Sequence, residues 1–270
     1  MHGLALRSKE VEGRLRALRL RGLPAATLGA NGYPELHHEP TCSVDSATSR
    51  HDNPRLHAMT TSPAPAAPLL SAHRLAFSRN DEPVFGPLDF SLGSGETVLV
   101  EGDNGSGKTT LLRVLAGMLP PGAGEIRFDG QPASRDSRNG RVLWLGHRTG
   151  MNESMSAREN LGFLAGLYGT RAGMTAATAM ERVGIGGWID EPLRTLSAGQ
   201  KKRVGLARLL LLPGDVWLLD EPYANLDRHG IDLVNALIAE HCAGGGGALV
   251  TSHGAVRFAD TNARHIHLAT

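Results

Sequence analysis

A glycine-rich octapeptide, GDNGSGKT, occupies Gly102–Thr109. It follows the apolar run Thr97–Val100, which predicts a strand, and it leads into a predicted helix over Thr109–Gly117. The pattern GxxxxGK(S/T) in this strand–helix context predicts a loop that wraps a phosphate group. Glycine permits the tight backbone curl, and the N–H groups at the start of the helix attract an anion. The octapeptide therefore predicts an α/β fold that holds a nucleotide at the carboxyl edge of its sheet.

The residue types in this loop suit a triphosphate and its metal ion. We expect the Lys108 ammonium group to reach the β- and γ-phosphates, and the Thr109 hydroxyl group to bind Mg²⁺. Lysine is rare in the chain and occurs only at Lys9, Lys108, Lys201 and Lys202, so its presence in the loop is informative. The residues expected to bind ATP are Gly102, Asp103, Asn104, Gly105, Ser106, Gly107, Lys108, Thr109 and Thr110.

A second motif, VWLLDEP, occupies Val216–Pro222. An apolar strand that ends in an aspartate brings a carboxylate to the sheet edge beside the phosphate loop. Asp220 is therefore the second expected Mg²⁺ ligand, and Glu221 is the expected general base or orienter of the attacking water. Together the two motifs predict a P-loop NTPase.

A third motif, LSAGQ at Leu196–Gln200, narrows the class because it resembles the LSGGQ signature of ABC ATPases, with Ala198 in place of a glycine. The resemblance implies an ABC-type fold, with a mixed sheet core, an antiparallel β-subdomain and a helical subdomain at about residues 148–198. It also implies that a second copy of the chain closes the site. The residues that would contact ATP held by the opposite protomer are Ser197, Ala198, Gly199 and Gln200.

Shorter motifs also occur in the order in which ABC ATPases have them. Asp227, in ANLD, corresponds to the D-loop, and His253 corresponds to the switch histidine that would share the catalytic role with Glu221. The glutamine that the family places after the strand Val142–Leu145 is missing, and His147 stands at its position. For the aromatic residue that stacks on adenine, both Phe77 and Arg79 remain candidates.

Two longer stretches, residues 75–92 and 143–163, resemble the ATP-binding subunits of bacterial cytochrome c maturation, the haem exporter protein A family. This resemblance implies a peripheral subunit on the cytoplasmic face of the inner membrane. Its partners would be integral-membrane permease subunits and haem-handling proteins, and its ATP hydrolysis would drive release of a haem-loaded chaperone.

Other functions remain open in different degrees. An ATPase subunit of another ABC exporter, for lipid or drug, is the main alternative. A soluble ABC ATPase of translation usually has two such domains, and one of DNA repair has a long coiled coil between Lys108 and Ser197. The formal net charge of +1 creates no general attraction to nucleic acid, so we expect no nucleic-acid partner.

The chain divides by composition into two parts. Residues 1–68 turn polar from Ala30 to Arg55 and end in a proline-rich linker. This composition predicts a disordered extension or a start site upstream of a true beginning at Met59, and a basic, flexible arm that touches a partner or a membrane surface is the alternative. Residues 69–270 carry all the motifs and predict the nucleotide-binding domain. Its apolar runs are shorter than the roughly 18 residues that a membrane span requires. Glycine, proline or both predict turns at Gly86–Pro87, Gly93–Gly95 and Gly244–Gly247, and we expect residues 156–196 to be mostly helical.

Overall fold

The computed structural model describes residues 67–251 and 263–268. All of them belong to the second of two units into which the chain divides, Ser62–Thr270. In this part of the chain, no helix is long and apolar enough to cross a bilayer.

The first sheet contains four strands: β1 (Leu70–Arg79), β2 (Glu82–Leu92), β4 (Ala123–Phe128) and β5 (Gln131–Pro132). Their order is β2-β1-β4-β5, and every neighbouring pair is antiparallel. This sheet corresponds to the antiparallel subdomain that the family resemblance implies.

The turn predicted at Gly86–Pro87 is wrong, because both residues lie inside β2. Gly86 has a φ of 97°, and a Cβ there would lie 2.3 Å from the carbonyl oxygen of Leu75 on β1. The pairing register shifts at this point, between Leu75 and Phe77. Glycine therefore marks a bulge where two backbones approach closely, rather than the end of a strand.

The second sheet contains five strands: β3 (Thr97–Glu101), β6 (Val142–Leu145), β7 (Val216–Leu219), β8 (Gly247–Thr251) and β9 (Arg264–His267). Their order is β6-β7-β8-β3-β9, and all four pairings are parallel. The predicted strands at Val142–Leu145 and Val216–Leu219 are confirmed. Among the described strands, antiparallel pairing thus occurs in the first sheet and parallel pairing in the second.

Six α-helices within residues 67–251 connect and cover these strands: α1 (Lys108–Leu115), α2 (Arg135–Arg138), α3 (Ala157–Tyr168), α4 (Ala176–Arg182), α5 (Ala198–Leu211) and α6 (Arg228–Ala243). Short 3₁₀ turns at Gly186–Trp188 and Leu193–Thr195 follow α4. The mostly helical region predicted over residues 156–196 is confirmed, although turns interrupt it.

The parallel sheet is buried on both faces, which explains its nearly continuous apolar strands. Successive residues of β7 show the alternation: Trp217 and Leu219 pack into one apolar cluster, and Val216 and Leu218 pack into the other. Apolar side chains of α3, α4, α5 and α6 belong to the first cluster, whereas those of α1 and the antiparallel sheet belong to the second. This packing on both faces fixes the carboxyl ends of the parallel strands. The predicted site residues follow these strand ends.

The flexible turn predicted at Gly244–Gly247 is also wrong in part. Gly244 caps α6, but Gly247 is the first residue of β8. A Cβ on Gly247 would lie 2.9 Å from Leu92 Cγ and 3.0 Å from the carbonyl oxygen of Gly93. Close packing against the neighbouring segment, and not flexibility alone, explains the glycine here.

Candidate nucleotide-binding site

The glycine-rich loop joins the end of β3 to the start of α1 at the carboxyl edge of the parallel sheet. Gly107, the residue before α1, has a φ of 90°, a backbone conformation that side chains disfavour. A Cβ at Gly107 would also lie 2.9 Å from the carbonyl oxygen of Val84. The loop therefore requires glycine at position 107, both for its tight backbone turn and for its packing. The N-terminus of α1 faces the space that the loop encloses.

The Lys108 side chain folds back across this loop. Its ammonium group donates hydrogen bonds to the carbonyl oxygens of Gly102, at 2.6 Å, and Asp103, at 2.8 Å. The Ser106 hydroxyl group is buried and has no hydrogen-bond partner. A buried cation and an unsatisfied hydroxyl group inside a glycine-lined loop make a site that fits an anion.

Asp220, which follows β7, lies against this loop and is only 5% exposed. The Thr109 hydroxyl group donates to both carboxylate oxygens of Asp220, at 3.0 and 2.9 Å. The Thr251 hydroxyl group, at the end of β8, donates to the same carboxylate at 3.0 Å. The structure thus brings together the two predicted Mg²⁺ ligands, Thr109 and Asp220, from separate motifs.

Glu221 adopts a left-handed backbone conformation, with a φ of 49°. Its N–H group donates to the Thr251 hydroxyl oxygen at 2.9 Å, and its carbonyl oxygen accepts from the Lys202 ammonium group at 3.1 Å. Burial lowers the pKa of Lys202, although the nearby charges of Asp220 and Glu221 oppose that shift. Two contacts from other elements therefore hold a backbone conformation that is unusual for glutamate.

Sequence reasoning assigned no role to Thr251 or Lys202. Thr251 lies 31 residues from Asp220 along the chain, and only the parallel pairing of β7 with β8 brings the two together. Lys202 follows the LSAGQ motif, but its contact with the Glu221 carbonyl oxygen depends on how α5 packs. The sequence signal for Thr251 is that it is a polar residue at the end of a buried apolar strand, β8.

The LSAGQ motif forms the start of α5. Ser197 is the N-cap: its hydroxyl oxygen accepts from the Gln200 N–H group at 3.2 Å, and its own N–H group donates to Gln200 Oε1 at 2.9 Å. Ser197 and Ala198 are exposed, while Gly199 lies close to the carbonyl oxygen of Asn225. The motif therefore presents a capped, solvent-facing helix N-terminus, which can attract a negatively charged ligand.

Curated relatives match the chain over most of their own length. The chain is 58% identical over 190 residues to the cytochrome c biogenesis ATP-binding export protein CcmA of Xanthomonas oryzae pv. oryzae, covering 70% of this chain and 89% of that protein. It is 44% identical over 211 residues to the CcmA of Xylella fastidiosa, covering 78% and 98%. The ABC transporter family (ABC_tran) matches residues 85–224.

The chain belongs to the CcmA family of ABC transporter ATPases.

The fold agrees with this assignment. The structure superposes on that of the ATP-binding cassette MJ0796, solved as a dimer bound to ADP and Pi, with a TM-score of 0.60 and 21% identity, covering 74% of this chain and 94% of that one. At this identity the likeness speaks for the fold alone. As a member of the ABC family, the chain binds ATP and is an ATP-hydrolysing transport subunit.

Asp227, the predicted D-loop residue of this ABC ATPase, is the N-cap of α6. Its carboxylate accepts from the Gly230 N–H group at 2.8 Å and lies 3.6 Å from Arg203 of α5. His253, the predicted switch histidine, lies outside the described residues. Asp227 thus lies next to α5 in the described structure, and its D-loop role and the role of His253 stay predictions.

His147, which replaces the family's glutamine, is exposed in the segment that follows β6. The same segment is fixed to α5 by Arg208, which donates to the carbonyl oxygens of Thr149, at 2.7 Å, and of Trp144. Burial lowers the pKa of Arg208 to about 10, so its guanidinium group stays charged at neutral pH. Arg208 therefore links the segment that contains His147 to α5.

We expect His147→Gln to retain ATP hydrolysis within about twofold of the wild type, because an amide can make the same water or metal contact as an imidazole. The pH profile of kcat, measured against that of the wild type, checks whether the imidazole takes part. Arg148→Gln, which changes the exposed neighbour, is the control. A collapse of hydrolysis in His147→Gln alone would show that the imidazole has a role of its own.

We expect Thr251→Val, which keeps the side-chain shape, to lower kcat by roughly tenfold to a hundredfold and to change ATP affinity little. The change leaves the Glu221 N–H group without its acceptor and removes a donor from Asp220, each at a cost of about 1–3 kcal/mol. Steady-state ATPase assays and nucleotide titrations measure the two effects separately. Thr97→Val, another buried threonine in the same sheet, is the matched control. An unchanged kcat would contradict a positioning role for Thr251.

Proposed function

We propose that the chain is the ATPase subunit of an ABC exporter that serves cytochrome c biogenesis, where hydrolysis drives release of a haem-loaded chaperone. The observation that carries the ATPase part is the convergence of Thr109, Lys108 and Asp220 at one edge of the sheet. The assignment to cytochrome c biogenesis is supported by the identity to CcmA proteins over most of their length.

The triphosphate would enter the loop that Lys108 now crosses. Its ammonium group would exchange the carbonyl oxygens of Gly102 and Asp103 for phosphate oxygens, which are stronger acceptors. The Ser106 hydroxyl group would gain a partner in the same step. The start of α1 adds backbone N–H groups and the positive end of a helix dipole.

Thr109 and Asp220 fit a magnesium ion because they offer a hydroxyl and a carboxylate oxygen, the donor types that Mg²⁺ prefers. When bound, Mg²⁺ supplies positive charge that neutralises the β- and γ-phosphate oxygens. The Thr109 hydroxyl group donates to Asp220, so the carboxylate is held beside the loop. Thr251 maintains that orientation from the other side.

Glu221 would orient the attacking water and accept its proton. Its carboxylate follows directly after Asp220, and its backbone is held by Thr251 and Lys202. Both contacts come from elements of the buried core, so the position of the base is determined by the sheet and α5. His253 would complete this arrangement at the γ-phosphate.

A second copy of the chain would close the nucleotide site. Ser197 and Ala198 face solvent at the N-terminus of α5, a location that suits contact with a phosphate held by another protomer. The neighbouring D-loop residue Asp227 would cross the same interface. The related cassette was itself solved as a dimer. Gly199 and Gln200 complete the motif that would face the partner's ATP.

Integral-membrane permease subunits would dock at a cleft of about 820 Å³ beside the His147 segment. Arg135, Arg138 and Arg148 line it together with Met118 and Tyr168, and its described lining residues include no carboxylate. This charge pattern suits an acidic, partly apolar segment of a permease. The buried Arg208 also lines the cleft, so docking there would reach the signature helix directly. The chain would thereby lie on the cytoplasmic face of the inner membrane as a peripheral subunit.

Complementation tests the cytochrome c assignment. In a bacterium deleted for its own cytochrome c biogenesis ATPase, we expect this chain to restore haem-stained c-type cytochromes and Lys108→Ala to fail. Co-purification from membranes followed by mass spectrometry then identifies the permease and any haem-handling protein. If the chain hydrolyses ATP but restores no cytochrome and co-purifies with a different permease, it serves another exporter, such as one for lipid or drug.

A further inference from the structure

A cluster of two imidazoles and one carboxylate lies at the edge of the parallel sheet, apart from the groups that Lys108, Asp220 and Glu221 contribute. His265 Nδ1 lies 3.2 Å from Glu101 Oε2, and His267 Nε2 lies 3.4 Å from the same oxygen. One ligand atom from each residue falls within 4.8 Å of the other two. Three side chains with metal-binding atoms therefore point toward one common point.

The strand register explains why these side chains converge. His265 and His267 are two residues apart on β9, so they lie on the same face of the strand. Glu101, the last residue of β3, pairs directly with His267 in the parallel register. The hydrogen bond from the Leu268 N–H group to the Glu101 carbonyl oxygen, at 2.9 Å, holds the two strand ends together. The cluster is thus a product of backbone pairing and does not depend on long side chains meeting by chance.

We propose that Glu101, His265 and His267 form a binding site for a divalent transition-metal ion of the Zn²⁺ class. Metal–ligand bonds of about 2.0–2.2 Å in tetrahedral geometry require ligand atoms roughly 3.3–3.5 Å apart. The two measured distances to Glu101 Oε2, 3.2 and 3.4 Å, agree with that requirement. The two imidazole ligand atoms lie within 4.8 Å of each other.

The donor set selects the kind of metal. Two imidazole nitrogens and one carboxylate oxygen suit zinc, nickel or copper, whereas Mg²⁺ and Ca²⁺ prefer sites made of oxygen alone. The site therefore differs in chemistry from the Thr109–Asp220 pair and would not compete for the magnesium of ATP. The side chains of His265 and His267 are 47% and 73% exposed, so water or another ligand can take the fourth position.

An ordinary ion pair is a weaker explanation of the same geometry. It requires a protonated imidazole, and exposed ion pairs of this kind contribute little to stability. A metal ion uses both neutral imidazoles and the carboxylate at once.

The location connects the metal site to the ATP site. Glu101 directly precedes Gly102, the first residue of the phosphate loop. A Cβ on Gly102 would lie 2.7 Å from the carbonyl oxygen of Leu268, so the chain after β9 packs against the loop. A metal ion that ties β9 to Glu101 would therefore restrain the base of the loop, which amide hydrogen exchange in β9 can detect.

Cobalt provides the direct test, because Co²⁺ in a tetrahedral or five-coordinate nitrogen–oxygen site absorbs visible light. Titration of the full chain with Co²⁺, in the presence of excess Mg²⁺, should produce a visible band that saturates and that Zn²⁺ removes. The double variant His265→Gln/His267→Gln should lose the band, and Glu101→Gln should weaken Co²⁺ binding by about tenfold or more. Amide exchange in β9 should slow on metal binding in the wild type only.

The control is His73→Gln, which removes an exposed imidazole from β1 in the other sheet and should keep the band. Circular dichroism and ATP titration verify that each variant is folded. Histidines elsewhere, such as the adjacent His37 and His38, could also bind cobalt, but their band would persist in the double variant. An unchanged titration in the double variant, or the absence of a band in the wild type, would overturn the proposal.

Discussion

Lys108→Ala should lower ATP affinity by roughly ten- to a hundredfold and reduce hydrolysis to background. The substitution removes the cation that pairs with the phosphates, and a charge-assisted contact of this kind contributes about 1.5–3 kcal/mol. It also removes the ammonium group that donates hydrogen bonds to the carbonyl oxygens of Gly102 and Asp103 within the loop. Isothermal titration with ATP and a steady-state ATPase assay measure the two losses.

Arg113→Ala is the matched control for this prediction, because it removes an exposed cation from the last turn of the same helix, α1. It should retain both affinity and turnover. Wild-type ATP affinity in Lys108→Ala would contradict the assignment of Gly102–Thr109 as the phosphate-binding loop.

Glu221→Gln should lower kcat by roughly 10²–10⁴-fold, the range expected for loss of a general base, while ATP still binds. Glutamine keeps the size of the side chain, and the backbone contacts with Thr251 and Lys202 remain available. Since ATP would bind without being hydrolysed, a nucleotide-bound dimer should accumulate. ATPase rates and light scattering after gel filtration, each with and without ATP, measure these effects together.

The control for Glu221→Gln is Glu125→Gln, which neutralises an exposed carboxylate of the antiparallel sheet that pairs with Arg127. It should behave as the wild type in both measurements. Normal turnover in Glu221→Gln would remove Glu221 from the chemistry and leave Asp220 as the one essential carboxylate of the motif.

Local sequence was enough to predict the elements that position the site. GDNGSGKT predicted the loop before α1 because its chemistry is contained in eight consecutive residues, and VWLLDEP predicted β7 because a buried parallel strand is apolar throughout. LSAGQ predicted the class through its resemblance to the ABC signature, and in the structure its serine and the glutamine three residues later form a capping box at the start of α5.

Contacts between distant segments could not be predicted in the same way. Thr251 contacts Asp220 and Glu221 only because β8 pairs with β7, and no local pattern specifies that pairing. Gly86 and Gly247 illustrate the opposite error: each suggested a turn or a flexible segment, but each lies within or at the start of a strand where another backbone or side chain approaches closely. The sequence did not indicate the group formed by Glu101, His265 and His267 for the same reason, since Glu101 and the two histidines are far apart in sequence. The domain boundary near residue 69 stays a prediction.

Mixing two inactive variants tests most directly whether one ATP is shared by two chains. Lys108→Ala disables the phosphate loop, and Ser197→Arg blocks the exposed start of α5, so each protein alone should be inactive. If the site is composite, an equal mixture forms mixed dimers in which one site combines the intact loop of one chain with the intact Ser197 of the other. Random pairing should then restore up to about a quarter of wild-type ATPase activity. A mixture as inactive as its separate components would contradict the shared site.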